Sequence, residues 1–161
     1  MISVARFYKV SRARFDADRG GLDADWASLR LPCRATAGSA GYDFFAPADF
    51  TLVPGETLAV PTGVRARIAP GWVLMLFPRS GLGFKYRLML NNTVGVVDSD
   101  YFDADNEGHI FIKLCNAGDR VLTVHRDEAF AQGVFLPFGI TEDDHAEAPR
   151  KGGFGSTGGA Q

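Results

Sequence analysis

A chain of 161 residues is long enough for one domain that buries roughly two-thirds of its unfolded surface, so a real core is within reach. Seventeen Lys and Arg against nineteen Asp and Glu leave a formal net charge of −2, which excludes general nucleic-acid binding through a cationic face. The apolar runs fall short of membrane-spanning length, the N-terminus carries no signal-like apolar segment, and the scattered His109, His125 and His145 argue against a zinc cluster.

In chain order, residues 4–10 predict a first strand. Residues 11–30 carry mixed charge, Gly20-Gly21 and Trp26, and read as a loop or short helix inserted before the main body. Leu31-Pro32 then restarts an extended path. Cys33 and Cys115 have no metal spacing and read as reduced core or near-core thiols of a cytoplasmic protein. Residues 57–68, broken by Pro61 and Gly63, lead to a turn at Pro70-Gly71 and an apolar run over 72–77. A short helix is expected around 81–86. Strand-like runs follow at 88–90, 93–97, 109–115, 121–124 and 131–138. Many short strands with regular turns predict an all-β barrel or sandwich. The acidic segment 141–148 lacks a strand pattern, and a glycine-rich tail follows it.

Several segments mix small residues with chemistry. Val94, Val96 and Val97 suit a buried strand, and Asp98-Ser99-Asp100 suits the tip of a hairpin, where an acid can orient a water or a metal. Tyr101 adds a flat face for a ring. Pro78-Arg79-Ser80-Gly81 sets Arg and Ser at a helix start, a seat for an oxyanion or phosphate. The amide of Asn92 both donates and accepts, as reading a base edge requires. Gly118-Asp119-Arg120 reads as a hairpin turn. The tail offers backbone N–H groups free of side chains, hydroxyls and nearby positive charge, although the order of a Walker loop is missing.

Taken together and in order, these segments resemble the five motifs of the homotrimeric dUTP diphosphatases (dUTPases). They are Ala40-Gly41-Tyr42-Asp43, then Pro78-Arg79-Ser80-Gly81-Leu82, then Asn92 through Gly95-Val96-Val97-Asp98-Ser99-Asp100-Tyr101. Gly118-Asp119-Arg120 through Ala131-Gln132 makes the fourth, and Gly152-Gly153-Phe154-Gly155-Ser156-Thr157-Gly158 the fifth. The resemblance implies a jelly-roll-like β-barrel of the β-clip type over 1–148, assembled as a homotrimer with sites shared between subunits. It implies a C-terminal lid over 149–161 for phosphate and uracil. The activity implied is Mg²⁺-dependent hydrolysis of dUTP to dUMP and diphosphate, which keeps uracil out of DNA and supplies dUMP for thymidylate synthesis.

The resemblance also assigns roles. Asp98 matches the acid that deprotonates the attacking water, and Asp43 an acid that approaches the metal through water. Arg79, Ser80, Gly81 and Gln132 match phosphate contacts. Asn92 and the backbone of Val96 and Val97 match the uracil-reading edge, Tyr101 the aromatic under deoxyribose, and Phe111 a backbone contact. Gly153, Phe154, Gly155, Ser156 and Thr157 match the lid. In the tail, Arg150 lies four residues before Phe154, where many family members have an Arg five before; its bidentate fork suits the γ-phosphate better than Lys151. The other departure is the long 102–108 segment after Tyr101. Two competing readings are a related dCTP deaminase, which needs a glutamate base, and a nucleotide-binding regulator acting through the 11–30 or 102–108 surface.

Overall fold

The computed structural model describes residues 2–147 and 152. Twelve strands and two short helices make an all-β fold among them: β1 (Ala5–Lys9), α1 (Arg12–Asp18), β2 (Cys33–Arg34), β3 (Tyr42–Phe45), β4 (Phe50–Leu52), β5 (Thr57–Pro61) and β6 (Val64–Ile68) come first. β7 (Trp72–Pro78), α2 (Ser80–Tyr86), β8 (Leu88–Leu90), β9 (Gly95–Val97), β10 (Phe111–Asn116), β11 (Leu122–Val124) and β12 (Ala129–Pro137) follow. Single 3-10 turns lie at Trp26–Ser28 and Ser99–Asp103.

Strand pairing is antiparallel throughout and mostly non-local. The largest sheet runs β2-β3-β12-β7-β9, a second runs β5-β10-β8, and two pairs are β1-β6 and β11-β4. These four sheets do not join into a closed barrel among the described residues. β7 lies between β12 and β9, so both its backbone edges are paired, and Val73, Leu74 and Leu76 bury their side chains.

The sheets enclose one main core built on Phe44, Leu52, Val60, Leu74, Leu76 and Phe130. Burying each such side chain stabilises the fold by about 1.5–3 kcal/mol. Phe50 and Phe130 meet edge to face at 5.9 Å. Asn116 is fully buried and satisfied: its Nδ2 donates to the carbonyls of Leu52 and Arg120, and its Oδ1 accepts the Gly118 N–H. A smaller cluster of Val10, Phe15, Ala24, Leu29 and Ala48 pins the 11–30 segment to the body. That segment is thus a helix and a 3-10 turn on a packed surface rather than a free loop.

Three expectations change. The Asp98-Ser99-Asp100 stretch is not a hairpin tip. β9 pairs with β7, and β10 pairs with β5 and β8. Burial of Tyr101 and Phe102 draws the chain inward instead, through the 3-10 turn in which Tyr101 N–H donates to the Asp98 carbonyl. Gly118-Asp119-Arg120 links β10 and β11, which belong to different sheets, so it is a connection rather than a hairpin turn. Cys33 is exposed on β2, an edge strand, and is no core thiol; Cys115 is half-buried.

Candidate active site

Two groups of the expected residues are brought together. The first surrounds a cleft of about 320 Å³ whose walls include Leu76, Leu90, Asn92, Gly95, Phe111 and Lys113. A tight turn at Asn91-Asn92 joins β8 to the approach of β9, and Asn91 N–H donates to the Lys113 carbonyl, tying that turn to β10. Gly95 sits against Leu76; a Cβ there would lie 3.0 Å from the Leu76 side chain. β9 ends its sheet, so its outer backbone edge carries no strand among the described residues. Val96 is 48% exposed and Val97 is buried, so one side chain anchors the strand, and Gly95 is its residue on the cleft wall. Asp98 leaves the end of β9 exposed to solvent and precedes the 3-10 turn without capping it.

Tyr101 is not one of the cleft's walls; it is buried, 1% exposed. Its hydroxyl donates to the His109 carbonyl at 2.7 Å and accepts from Asn106 Nδ2 at 2.7 Å. It is therefore held from the rear and offers no open ring face in the single chain. The long 102–108 segment folds back at Gly108 with φ of +67°; a Cβ there would meet the Tyr101 carbonyl oxygen at 2.6 Å. Phe111 keeps its place at the cleft despite that extra length, because Gly108 and His109 return the chain to β10 in register with Pro61.

The second group forms a polar shelf. Asp43 on β3 is the register partner of Gln132 on β12. Arg79, at the N-cap of α2, approaches Asp43 through Nε at 3.9 Å, and its terminal nitrogens make no hydrogen bond or ion pair among the described residues. Ser80 and Gly81 begin α2 and are exposed; Arg79, not Ser80, holds the cap position. Gln132 Nε2 donates to the Pro78 carbonyl at 3.1 Å. Gly41 makes room for this glutamine: a Cβ there would lie 2.6 Å from Gln132 Oε1. Arg150, Gly153, Phe154, Gly155, Ser156 and Thr157 lie outside the described residues.

The donor set fits a metal carried by a ligand rather than caged by protein. Among the described residues no cluster of three or more His, Cys, Asp or Glu side chains could hold an ion. One half-buried carboxylate, Asp43, faces the shelf. Magnesium keeps several waters and takes one or two carboxylates plus phosphate oxygens, a demand this shelf can meet when a polyphosphate is present.

The β7 register fixes the spacing of the two groups. Val97 stands opposite Leu74, five residues of extended chain before Arg79, which is roughly 17 Å. Asp98 lies one residue further out.

Cleft residues that sequence reasoning did not mark include Leu90, Asn91 and Lys113. Their signal was slight: a turn dipeptide and an alternating strand whose outward face holds both Phe111 and Lys113. His109, passed over as one of three scattered histidines, is fully buried beside Tyr101 and Phe111.

Comparison with known proteins places these features. The dUTPase family model matches residues 27–158. The deoxyuridine 5'-triphosphate nucleotidohydrolase of Lactococcus lactis is 42% identical over 135 residues, covering 82% of this chain and 90% of that protein. The protein of the same name from Burkholderia lata is 45% identical over 137 residues, covering 80% of this chain and 88% of its own. The crystal structure of dUTPase from Streptococcus mutans superposes with a TM-score of 0.68 at 37% identity, over 84% of this chain and 98% of that one. An ordered set of site residues, the all-β fold and these relatives agree: the chain belongs to the dUTPase family.

Proposed function

We infer that this chain is a dUTP diphosphatase, which hydrolyses dUTP to dUMP and diphosphate. The observation that carries the reading is the open edge of β9, bordering a cleft lined by Asn92 and Phe111 and running directly into Asp98. Uracil presents an N–H between two carbonyls. The backbone groups of Val96 and Val97, with the Asn92 amide, supply the complementary edge. Cytosine reverses donor and acceptor there and leaves buried polar groups unpaired, which makes rejection strong.

In the proposed reaction the Asp98 carboxylate orients a water and takes its proton as the oxygen attacks the α-phosphorus in line. The bond from that phosphorus to the bridging oxygen breaks, and diphosphate leaves. Arg79, Ser80, Gly81 and Gln132 bind the phosphate chain. Bound Mg²⁺ would offset phosphate charge, with Asp43 reaching it through water. Arg150 and the tail residues Gly153, Phe154, Gly155, Ser156 and Thr157 close over uracil and the γ-phosphate.

The separation along β7 supports a shared site. The acid and the phosphate seat rise from backbone points roughly 17 Å or more apart along the β7 register, a long reach for one α-phosphate within a chain. A homotrimer in which one subunit's cleft faces another's shelf meets that constraint. The free thiols Cys33 and Cys115 suit a reducing, cytoplasmic setting. The test is diphosphate release from dUTP, the other dNTPs and UTP with Mg²⁺. Release from dUTP far above the rest is expected; ammonia from dCTP instead would overturn the reading.

A further inference from the structure

The two stretches that set this sequence apart, 11–30 and 102–108, meet each other in the fold. At one end of α1, the N-cap Ser11 donates its N–H and its hydroxyl to the Glu107 carboxylate, at 2.8 and 2.6 Å. At the other end, Asp18 meets His109 Nδ1 at 2.7 Å across 91 residues of sequence, with Arg14 bonded to the same carboxylate. The other ring nitrogen, Nε2, accepts the Gly63 N–H at 2.8 Å. That acceptor role fixes the neutral tautomer, so Nδ1–H donates to Asp18. Burial holds the imidazole's pKa below its usual range, against the pull of Asp18 in the other direction.

His109 holds two of the expected site residues. Its carbonyl accepts the Tyr101 hydroxyl, and its ring packs 4.5 Å from that of Phe111, a cleft wall. Docking of α1 also rests on Phe15, which is fully buried, and on Ser11, which is bonded to Glu107. A buried polar pair is also a poor adhesive, since apolar replacements of equal volume are often as stable. What such a pair adds is orientation. Asp18 precedes the 27–158 segment that matches the family model.

We propose that Asp18 is a positioning residue: through His109 it fixes the buried Tyr101, and Phe111 at the wall of the nucleotide cleft, and so sets how sharply the protein separates dUTP from UTP. This rests on the reading of the cleft given above. A ribose adds one hydroxyl to the sugar, and a wall free to recede would admit it.

The experiment measures kcat and KM for dUTP and UTP, with melting temperature, in the full-length protein and in Asp18→Ala, Asp18→Asn and Tyr101→Phe. Asp18→Ala is expected to raise KM for dUTP and lower the dUTP-to-UTP ratio of kcat/KM by roughly 10- to 100-fold, with kcat changed less. Asp18→Asn, whose amide oxygen still accepts from Nδ1–H, should recover most of the ratio. Tyr101→Phe, which loses the bond to the His109 carbonyl, should shift the ratio in the same direction. The Asp18→Ala, Tyr101→Phe double variant should lose no more than the larger single, as changes on one path do. A lowered melting temperature with KM and ratio unchanged in Asp18→Ala, while Tyr101→Phe shifts the ratio, would reduce the pair to a structural clamp and overturn the inference alone. A wild-type protein without preference for dUTP would overturn the reading of the cleft and this inference with it.

Discussion

The cleft and the shelf solve different recognition problems with different materials. The cleft draws mostly on the stretch from β8 through β10, with Ala59 of β5 and Leu76 of β7, and in the proposed reading it meets the base with fixed backbone edges and apolar walls. The shelf gathers Asp43, Arg79 and Gln132 from three distant segments and presents exposed or half-exposed side chains. A base has a fixed pattern of donors and acceptors, so rigidity serves it. A triphosphate is flexible and highly charged, so side chains that can adjust serve it better.

That contrast sets the expected order of effects. The largest is at the junction between the two regions. Asp98→Asn keeps the shape of the turn but removes the base, so kcat should fall by about 10²–10⁴-fold while nucleotide still binds; turnover near wild type would remove Asp98 from the chemistry. On the shelf, Arg79→Lys keeps the charge and loses the fork. A drop in kcat/KM of roughly 10- to 100-fold is expected, with melting temperature unchanged; a fully active Lys variant would mean that Arg79 acts as a point charge only.

Two glycines sharpen the comparison further. Gly95→Ala drives a Cβ against the buried Leu76 side chain, so about 1–3 kcal/mol of stability should be lost as the cleft reshapes. Gly41→Ala meets only the end of Gln132, which can swing away. Its melting temperature should hold while KM rises several-fold. Equal stability losses in the two variants would dissolve the distinction between a rigid cleft and a pliant shelf.

The smallest expected effect is a pH dependence seated behind the cleft. In the unfolded chain His109 takes up its proton near 6.5; in the folded chain burial delays that uptake to lower pH. Below 6.5 the unfolded state therefore binds more protons, and stability falls as pH drops toward the folded pKa. Melting temperature should decline from about pH 7.5 to about 5.5, and His109→Gln should flatten that decline. An unchanged slope in the variant would assign the titration elsewhere.

Much of this was legible in the sequence. Apolar runs gave β7, β10 and β12, and the Gly81 region gave α2, because those signals are local. β2, β3 and β4 were not marked as strands, since two to four residues carry too little periodicity. The pairing of β9 with β7 rather than β10 was hidden as well: register is a tertiary choice, here made by burial of Tyr101 and Phe102. Motif residues such as Gly41 and Gln132 were recognisable by order, but their contact with each other was not. His109 left no local trace at all, because its partner Asp18 lies 91 residues away.

The central claim is that cleft and shelf of one chain serve different sites. Mixing tests it directly. Asp98→Asn and Arg79→Ala chains, each nearly inactive alone, are co-expressed and diphosphate release from dUTP is measured. Sites shared between subunits combine an intact Asp98 from one chain with an intact Arg79 from another, so random assembly in a ring should restore roughly a quarter of wild-type activity. Activity that stays at the level of the single variants would place both groups in one chain's site and contradict the account.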